Sequence, residues 1–261
     1  MKAKTELLPY RLLWLADKPM RPTYRNIEDS FEGWAYRNGL LAQMDRLEAQ
    51  GLVESIRDPR SGDRLHRLTE AGRLAASGGR DPSAAWARKW DGRWRLFLFD
   101  IPEYERSKRK KLTRALSRAG CGCLQGSVWI TPAAHASLEK LLSGEDVDCS
   151  QLLMLHAASK GRCEDHRMVM AAWDFDAINQ RYREFLGVLE RFLSLPDTCP
   201  REVFDDWTAA ERTAWRAALA IDPLLPGELL PKDYLGRRAW NLRRQILPEA
   251  ARLAASLHRS P

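Results

Sequence analysis

Apolar residues recur at helical spacing through the first fifty positions of the chain. Leu8, Leu12 and Leu15 form one stripe, Ile27, Phe31 and Trp34 a second, and Leu40, Met44 and Leu47 a third. Lys18-Pro19 closes the first, because the residue before a proline avoids the helical region. At about 100° per residue, Phe31 and Trp34 project roughly opposite Leu40 and Leu47. One straight helix cannot bury both sets in one core, so the pattern predicts a turn near residues 34–38, with Asn38 as N-cap of the third helix. That helix is expected to stop at Gly51, where glycine takes the left-handed conformation. The period then changes. Leu52 to Ile56 is a short strand, Asp58 to Arg64 has turn chemistry, and Leu65 to Leu68 returns as a second strand. Three helices and a hairpin predict a winged helix over residues 1–77.

Residues 78–93 read as a linker, but a bare linker would not carry Trp86 and Trp90. They are expected to pack on a neighbouring domain. Residues 94–158 read β-α-β-β-α-β. Trp94 to Phe99 is a strand and Arg106 to Ala119 an amphipathic helix. Cys123 to Ile130 holds one or two strands around Gln125-Gly126-Ser127, His135 to Leu142 is a second helix, and Leu152 to His156 closes the unit. That order is the ferredoxin-like split motif. Residues 159–172 read as a connector. Residues 173–261 read as all-helical, with a long stripe of Ile178, Tyr182, Phe185, Leu189 and Phe192 and later helices over Trp207–Leu219 and Arg238–Leu257. Between the last two lies Ile221 to Pro231, an apolar, proline-punctuated segment expected to wrap over a core. The fold class is therefore α+β and multidomain.

Composition narrows the function. Apolar residues make up 44% and charged residues 30%, as in a soluble globular protein. No apolar run is long enough for a bilayer span, and the N-terminus lacks the form of a signal peptide. Five scattered cysteines fit reduced thiols in the cytoplasm better than a disulfide framework. Cys121-Gly-Cys123 and Cys163-x-x-His166 fall short of the clustered pairs of a structural zinc site. Gly-x-Ser-x-Gly, Gly-x-Gly-x-x-Gly and phosphate-loop motifs are missing, so no catalytic residues and no cofactor are expected. The 42 Lys and Arg exceed the 35 Asp and Glu, for a net +7. Residues 1–85 carry +2, residues 86–119 carry +7 and residues 120–261 carry −2.

Charge and polarity single out two surfaces. The third helix has an apolar back and a polar front with Arg37, Asn38, Gln43 and Arg46, side chains able to meet base edges in a major groove. The hairpin tip adds Arg60 and Arg64. The second surface is the helix after the first strand of the middle unit, where Lys108, Arg109, Lys111 and Arg114 are candidates for DNA phosphates. For each the alternative is an ordinary solvated helix face.

Several stretches together resemble the PaaX family of bacterial repressors of phenylacetic-acid catabolism. They are Arg67-Leu68-Thr69-Glu70-Ala71-Gly72-Arg73, Trp94-Arg95-Leu96-Phe97-Leu98-Phe99-Asp100-Ile101-Pro102-Glu103 and Gly126-Ser127-Val128-Trp129-Ile130-Thr131-Pro132. Asp222-Pro223-Leu224-Leu225-Pro226, Leu229-Leu230-Pro231 and Gly236 complete the set. Tyr234-Leu235 departs from the family's usual Trp-Pro, and the segment around Tyr24–Trp34 departs from its second helix. The resemblance implies a homodimeric winged-helix repressor of an operator in double-stranded DNA, released by an effector such as phenylacetyl-coenzyme A. An acyl-coenzyme A thioester needs cations for its phosphates and an apolar slot for its acyl group. Trp173, Tyr182, Trp215, Tyr234, Arg237 and Trp240 are the candidates for that site, an amphipathic helix with its arginines in water being the alternative for each. The middle domain also resembles the small ferredoxin-like CRISPR adaptation protein, some members of which are metal-dependent nucleases. The residue carried over would be Asp100, whose other reading is the cap of a turn. A metal-dependent nuclease and an effector-independent nucleic-acid-binding assembly protein are the alternative functions.

Overall fold

The computed structural model describes residues 41–57, 64–76, 78–133, 152–159, 161–196 and 198–257. The first two predicted helices, the hairpin tip and the helix expected over His135–Leu142 lie outside the described residues. The chain divides into two compact units. One draws on Met1–Asp81, Glu184–Arg216 and Arg238–Pro261, the other on Pro82–Arg183 and Ala217–Arg237.

In the first unit, helix α1 (Leu41–Ala49) leads into an antiparallel hairpin, β1 (Val53–Arg57) and β2 (Arg64–Leu68), and then helix α2 (Glu70–Ala76). Met44 and Leu47 on α1 are buried together with Val53 and Leu68 of the hairpin. Gly51 takes φ +67°. Its N–H meets the Glu48 carbonyl and the Leu52 N–H meets the Leu47 carbonyl, both at 2.9 Å. These are the two bonds of a glycine-closed helix end. Thr69 joins the parts. Its Oγ1 donates to the Gly51 carbonyl at 2.6 Å and accepts the Gly72 N–H at 3.0 Å, capping α2. A Cβ at position 72 would run into the Leu52 carbonyl. The Arg67–Arg73 motif is thus the joint that holds α2 against the end of α1.

The second unit is built on a four-stranded antiparallel sheet ordered β4-β5-β3-β6: β3 (Trp94–Phe99), β4 (Gly122–Gln125), β5 (Val128–Thr131) and β6 (Leu152–Ala157). With helix α4 (Arg106–Arg118) crossing from β3 to β4, this is the strand order of a ferredoxin-like sheet. The register pairs Phe97 with Met154 and Trp129, and Phe99 with Leu152. These side chains meet Leu112, Ala115 and Leu116 of α4 and the buried Cys121 in one core. Burial pushes the Cys121 thiol up to about 12, against a weaker hydrogen bond from Thr131. On the opposite face, the register sets Leu96 beside Leu155 and Leu98 beside Leu153.

Two segments read as connections carry structure. The linker contains a short helix, α3 (Pro82–Ala87), and the connector contains α5 (Arg162–Ala172), whose buried Asp165 accepts the Trp94 indole N–H at 2.8 Å. Helices α6 (Phe175–Leu193), α7 (Arg201–Ile221) and α8 (Gly236–Leu257) complete the chain. The predicted α6 stripe of Ile178, Tyr182, Phe185, Leu189 and Phe192 is buried throughout.

Filling the tight approach at α2 should be costly. Gly72→Ala is expected to destabilise the first unit by roughly 1–3 kcal/mol, an overpacking penalty. Denaturant melts that match those of the native chain would remove Gly72 from the joint.

Candidate functional site

The α1 surface follows from its burial. With Met44 and Leu47 turned inward, Ala42, Asp45 and Arg46 are exposed on the outer side. Arg46 is the one predicted reading residue whose side chain the structure describes. Gln43 is placed on α1 and Arg64 at the start of β2, opposite Arg57 in the register. Arg37, Asn38 and Arg60 lie outside the described residues. Along the hairpin, the Arg67 guanidinium meets the carboxylate of its cross-strand neighbour Glu54.

Helix α4 shows a core side and a cationic side. Lys111 and Arg114 are exposed, Arg109 is half-buried, and Lys108 lies 3.1 Å from Glu105. Arg106 and Lys110 of the same basic run are exposed as well. Asp100 is exposed just after β3. Among the described residues, no three His, Cys, Asp or Glu side chains gather where they could hold a metal ion.

The candidates for effector binding fall into two groups. In the second unit, Tyr182 of α6 and Tyr234 both donate their hydroxyls to Asp222 Oδ2, and Asp222 Oδ1 accepts the Leu224 N–H at 2.8 Å. Tyr234 sits with its ring edge-on to Trp86, Phe175 and Tyr182 at 5.9, 6.0 and 5.8 Å. Burial, the Asp222 charge and Tyr182 together push the Tyr234 phenol far above its usual range, so it is a neutral donor. Asn179 braces the same turn, accepting the Leu235 N–H at 2.9 Å and donating to the Asp233 carbonyl at 3.3 Å. Trp173 packs on Trp94, ring centroids 6.3 Å apart. Arg237 is exposed, its guanidinium lying over Gly227.

The other group belongs to the first unit. Trp215 of α7 and Trp240 of α8 stack nearly parallel at 5.5 Å, with the Arg243 guanidinium 4.8 Å from the Trp215 ring. Arg243 is 1% exposed and donates to the fully buried Glu211 at 2.7 Å. Burial raises the Glu211 carboxyl and the arginine beside it opposes that rise. Arg243 is therefore an internal counter-ion, while Arg237, Arg238 and Arg244 point outward. The aromatic residues are brought together in pairs: Asp222 accepts from Tyr182 and Tyr234, and Arg243, held by Glu211, packs on Trp215 and Trp240. Asp222, Glu211 and Asn179 are the polar residues that the sequence reading did not single out. The available signal was an Asp heading an apolar, proline-rich run, where a carboxylate must find internal donors.

Comparisons with known proteins match two successive stretches of the chain. Residues 87–169 match the model of the PaaX protein central Cas2-like domain, and residues 173–259 match that of the PaaX-like protein C-terminal domain. The class is thus a Cas2-like sheet domain followed by a PaaX-like helical module. The chain belongs to the PaaX family. The uncharacterized protein Rv0674 from Mycobacterium tuberculosis has a similar fold, with a TM-score of 0.54 at 19% identity over 95% of this chain and 96% of its own. No curated protein matches. Among the described residues, no helix is long and apolar enough to cross a membrane.

If Asp222 holds both tyrosines, Asp222→Ala leaves two buried hydroxyls without their acceptor. A loss of about 3 kcal/mol or more is expected, against roughly 1 kcal/mol for Tyr234→Phe. Equal denaturation midpoints for the two variants would contradict a shared acceptor.

Proposed function

We propose that the chain is a homodimeric, DNA-binding transcriptional repressor of the PaaX type, released from its operator by an acyl-coenzyme A thioester. The observation that carries the reading is the α1–hairpin–α2 module. Its helix buries Met44 and Leu47 and presents Arg46 outward, directly ahead of an antiparallel hairpin. A helix followed by a hairpin supports the winged-helix reading, in which the helix enters the major groove and the hairpin follows the backbone. The sequence-based candidates Arg37, Asn38 and Gln43 are kept as further base contacts, and Arg60 and Arg64 as contacts of the wing. Membership of the PaaX family supports the regulatory role.

The dimer is assigned to the sheet. Leu153 and Leu155 of β6 are 57% and 44% exposed, and they adjoin the partly buried Leu98 and Leu96 on the face away from α4. These four leucines form an uncharged patch, and β6 is an edge strand. A two-fold axis brings such a patch onto its own copy, burying both. The effector reading rests on the family and on the outward arginines Arg237, Arg238 and Arg244, which suit a coenzyme A phosphate tail. Within this reading one of the two aromatic groups supplies the walls of an acyl slot, either Tyr182, Tyr234 and Trp173 in the second unit or Trp215 and Trp240 in the first; their present partners are Asp222 and Trp94 in the one and Arg243 in the other.

Three measurements test these parts separately. Arg46→Ala should weaken binding to duplex DNA from upstream of the protein's own gene by roughly 1–3 kcal/mol and relax sequence preference; unchanged affinity takes α1 out of the reading role. Phenylacetyl-coenzyme A and other acyl-coenzyme A thioesters, titrated against that complex, should release the DNA. A complex that survives every thioester points to an effector-independent binder. Leu153→Lys with Leu155→Lys should turn the dimer into a monomer by light scattering, and a persisting dimer places the interface elsewhere.

A further inference from the structure

The strongest concentration of charge in the chain is not on the α1–hairpin module. It is on α4, a helix of thirteen residues with seven cations and no acid within it: Arg106, Lys108, Arg109, Lys110, Lys111, Arg114 and Arg118. Leu112, Ala115 and Leu116 are buried against the sheet, which fixes the rotation of the helix. Arg106, Lys110 and Arg114 then follow one another at intervals of four residues, along a single ridge about 12 Å long. All three are exposed, with Lys111 and Arg118 exposed beside them.

A helix face that serves only to meet water carries both signs, because opposite charges four residues apart support a helix and like charges oppose it. Along this ridge the like charges are neighbours. The N-terminal turn adds to them. No acid stands in it, although that end of a helix carries partial positive charge and favours carboxylates. The ridge thus forgoes the alternating charges that would support the helix, and the result is a strip of positive potential on a rigid, core-anchored element. Such a strip matches a row of phosphates, because each cation set against the duplex backbone releases a condensed counter-ion.

We infer that the Arg106–Lys110–Arg114 ridge of α4 is a second DNA contact, seated on the sugar-phosphate backbone of the bound duplex outside the bases that α1 reads. The inference rests on the repressor reading above and deepens it. The ridge supplies affinity that does not depend on sequence, and α1 supplies the sequence preference. Charge complementarity selects the occupant, and the partner is the double-stranded DNA held by the same dimer.

The test compares the native chain with the triple variant Arg106→Gln, Lys110→Gln, Arg114→Gln. Both are titrated with operator duplex and with a scrambled duplex of equal length, between 50 and 200 mM salt. The three positions are exposed and leave Leu112, Ala115 and Leu116 in place, and a circular-dichroism melt checks that the fold is kept. The variant is expected to lose the same factor of affinity on both duplexes. Its plot of log affinity against log salt should be shallower by about 2–3, near 0.9 for each phosphate contact removed. Its preference for the operator should stay as in the native chain. An unchanged slope and affinity overturn the inference while leaving the repressor reading intact. A native chain that binds both duplexes alike, with the variant weaker on each, supports the ridge and removes the sequence-reading role of α1. A native chain that binds neither duplex removes both. Binding to anionic phospholipid vesicles that the variant loses, with its DNA slope unchanged, assigns the ridge to a lipid surface and overturns the inference.

Discussion

The Asp222 carboxylate is the point on which the second unit closes. It is 1% exposed and receives two phenolic hydroxyls and a backbone N–H. A charge at such depth is stable only when internal donors replace water. Those donors come from α6, from the residues just ahead of α8, and from the segment that Asp222 itself opens. The one carboxylate therefore ties the irregular run from Asp222 to Pro231 to α6 and to the turn ahead of α8. Leu224, at φ +51°, takes a conformation that a branched side chain rarely adopts, and its N–H is one of the three bonds. Strain at that residue persists because the surrounding bonds over-determine it.

Once that run is fixed, the linker is fixed with it. The Gly227 N–H meets the Trp86 carbonyl at 2.9 Å, Arg88 reaches the Leu224 carbonyl at 2.9 Å, and the Trp90 N–H meets Glu228 at 2.8 Å. Trp90 in turn lies 5.2 Å from Trp94 at the start of the first sheet strand. Residues 82–93, which lead into the sheet, are thus part of the second unit.

Much of this was legible in the sequence. Trp94–Phe99 is a strand at the boundaries its composition gives, and the α6 stripe is buried at each predicted position. Gly51 ends its helix in the expected conformation. These features are local, and periodicity and turn chemistry report local structure. The tryptophans of the linker were legible too, as residues that needed a neighbour. Helix α5 was not. It buries only Asp165 and Val169, and a helix anchored through a carboxylate leaves little apolar stripe to find. The pairing of the aromatic residues was also hidden. Asp222 lies 40 residues from Tyr182, and Glu211 lies 32 from Arg243. Closeness along the chain grouped Tyr234, Arg237 and Trp240, whereas the buried acids sort them into different clusters. On α4 the dense charge was plain from composition, but which row of cations faces outward depends on the rotation that Leu112 and Leu116 impose.

The run from Asp222 to Pro231 also bears on the unfolded chain. It forms neither helix nor strand, so few repeating hydrogen bonds offset the entropy lost when it is ordered. Pro223, Pro226 and Pro231 hold their φ angles near the folded value before folding begins. That narrows the conformations the free segment can explore, and less disorder is surrendered when it docks. The same three residues that keep the segment from becoming a helix leave it partly shaped in advance for the path that Asp222 secures.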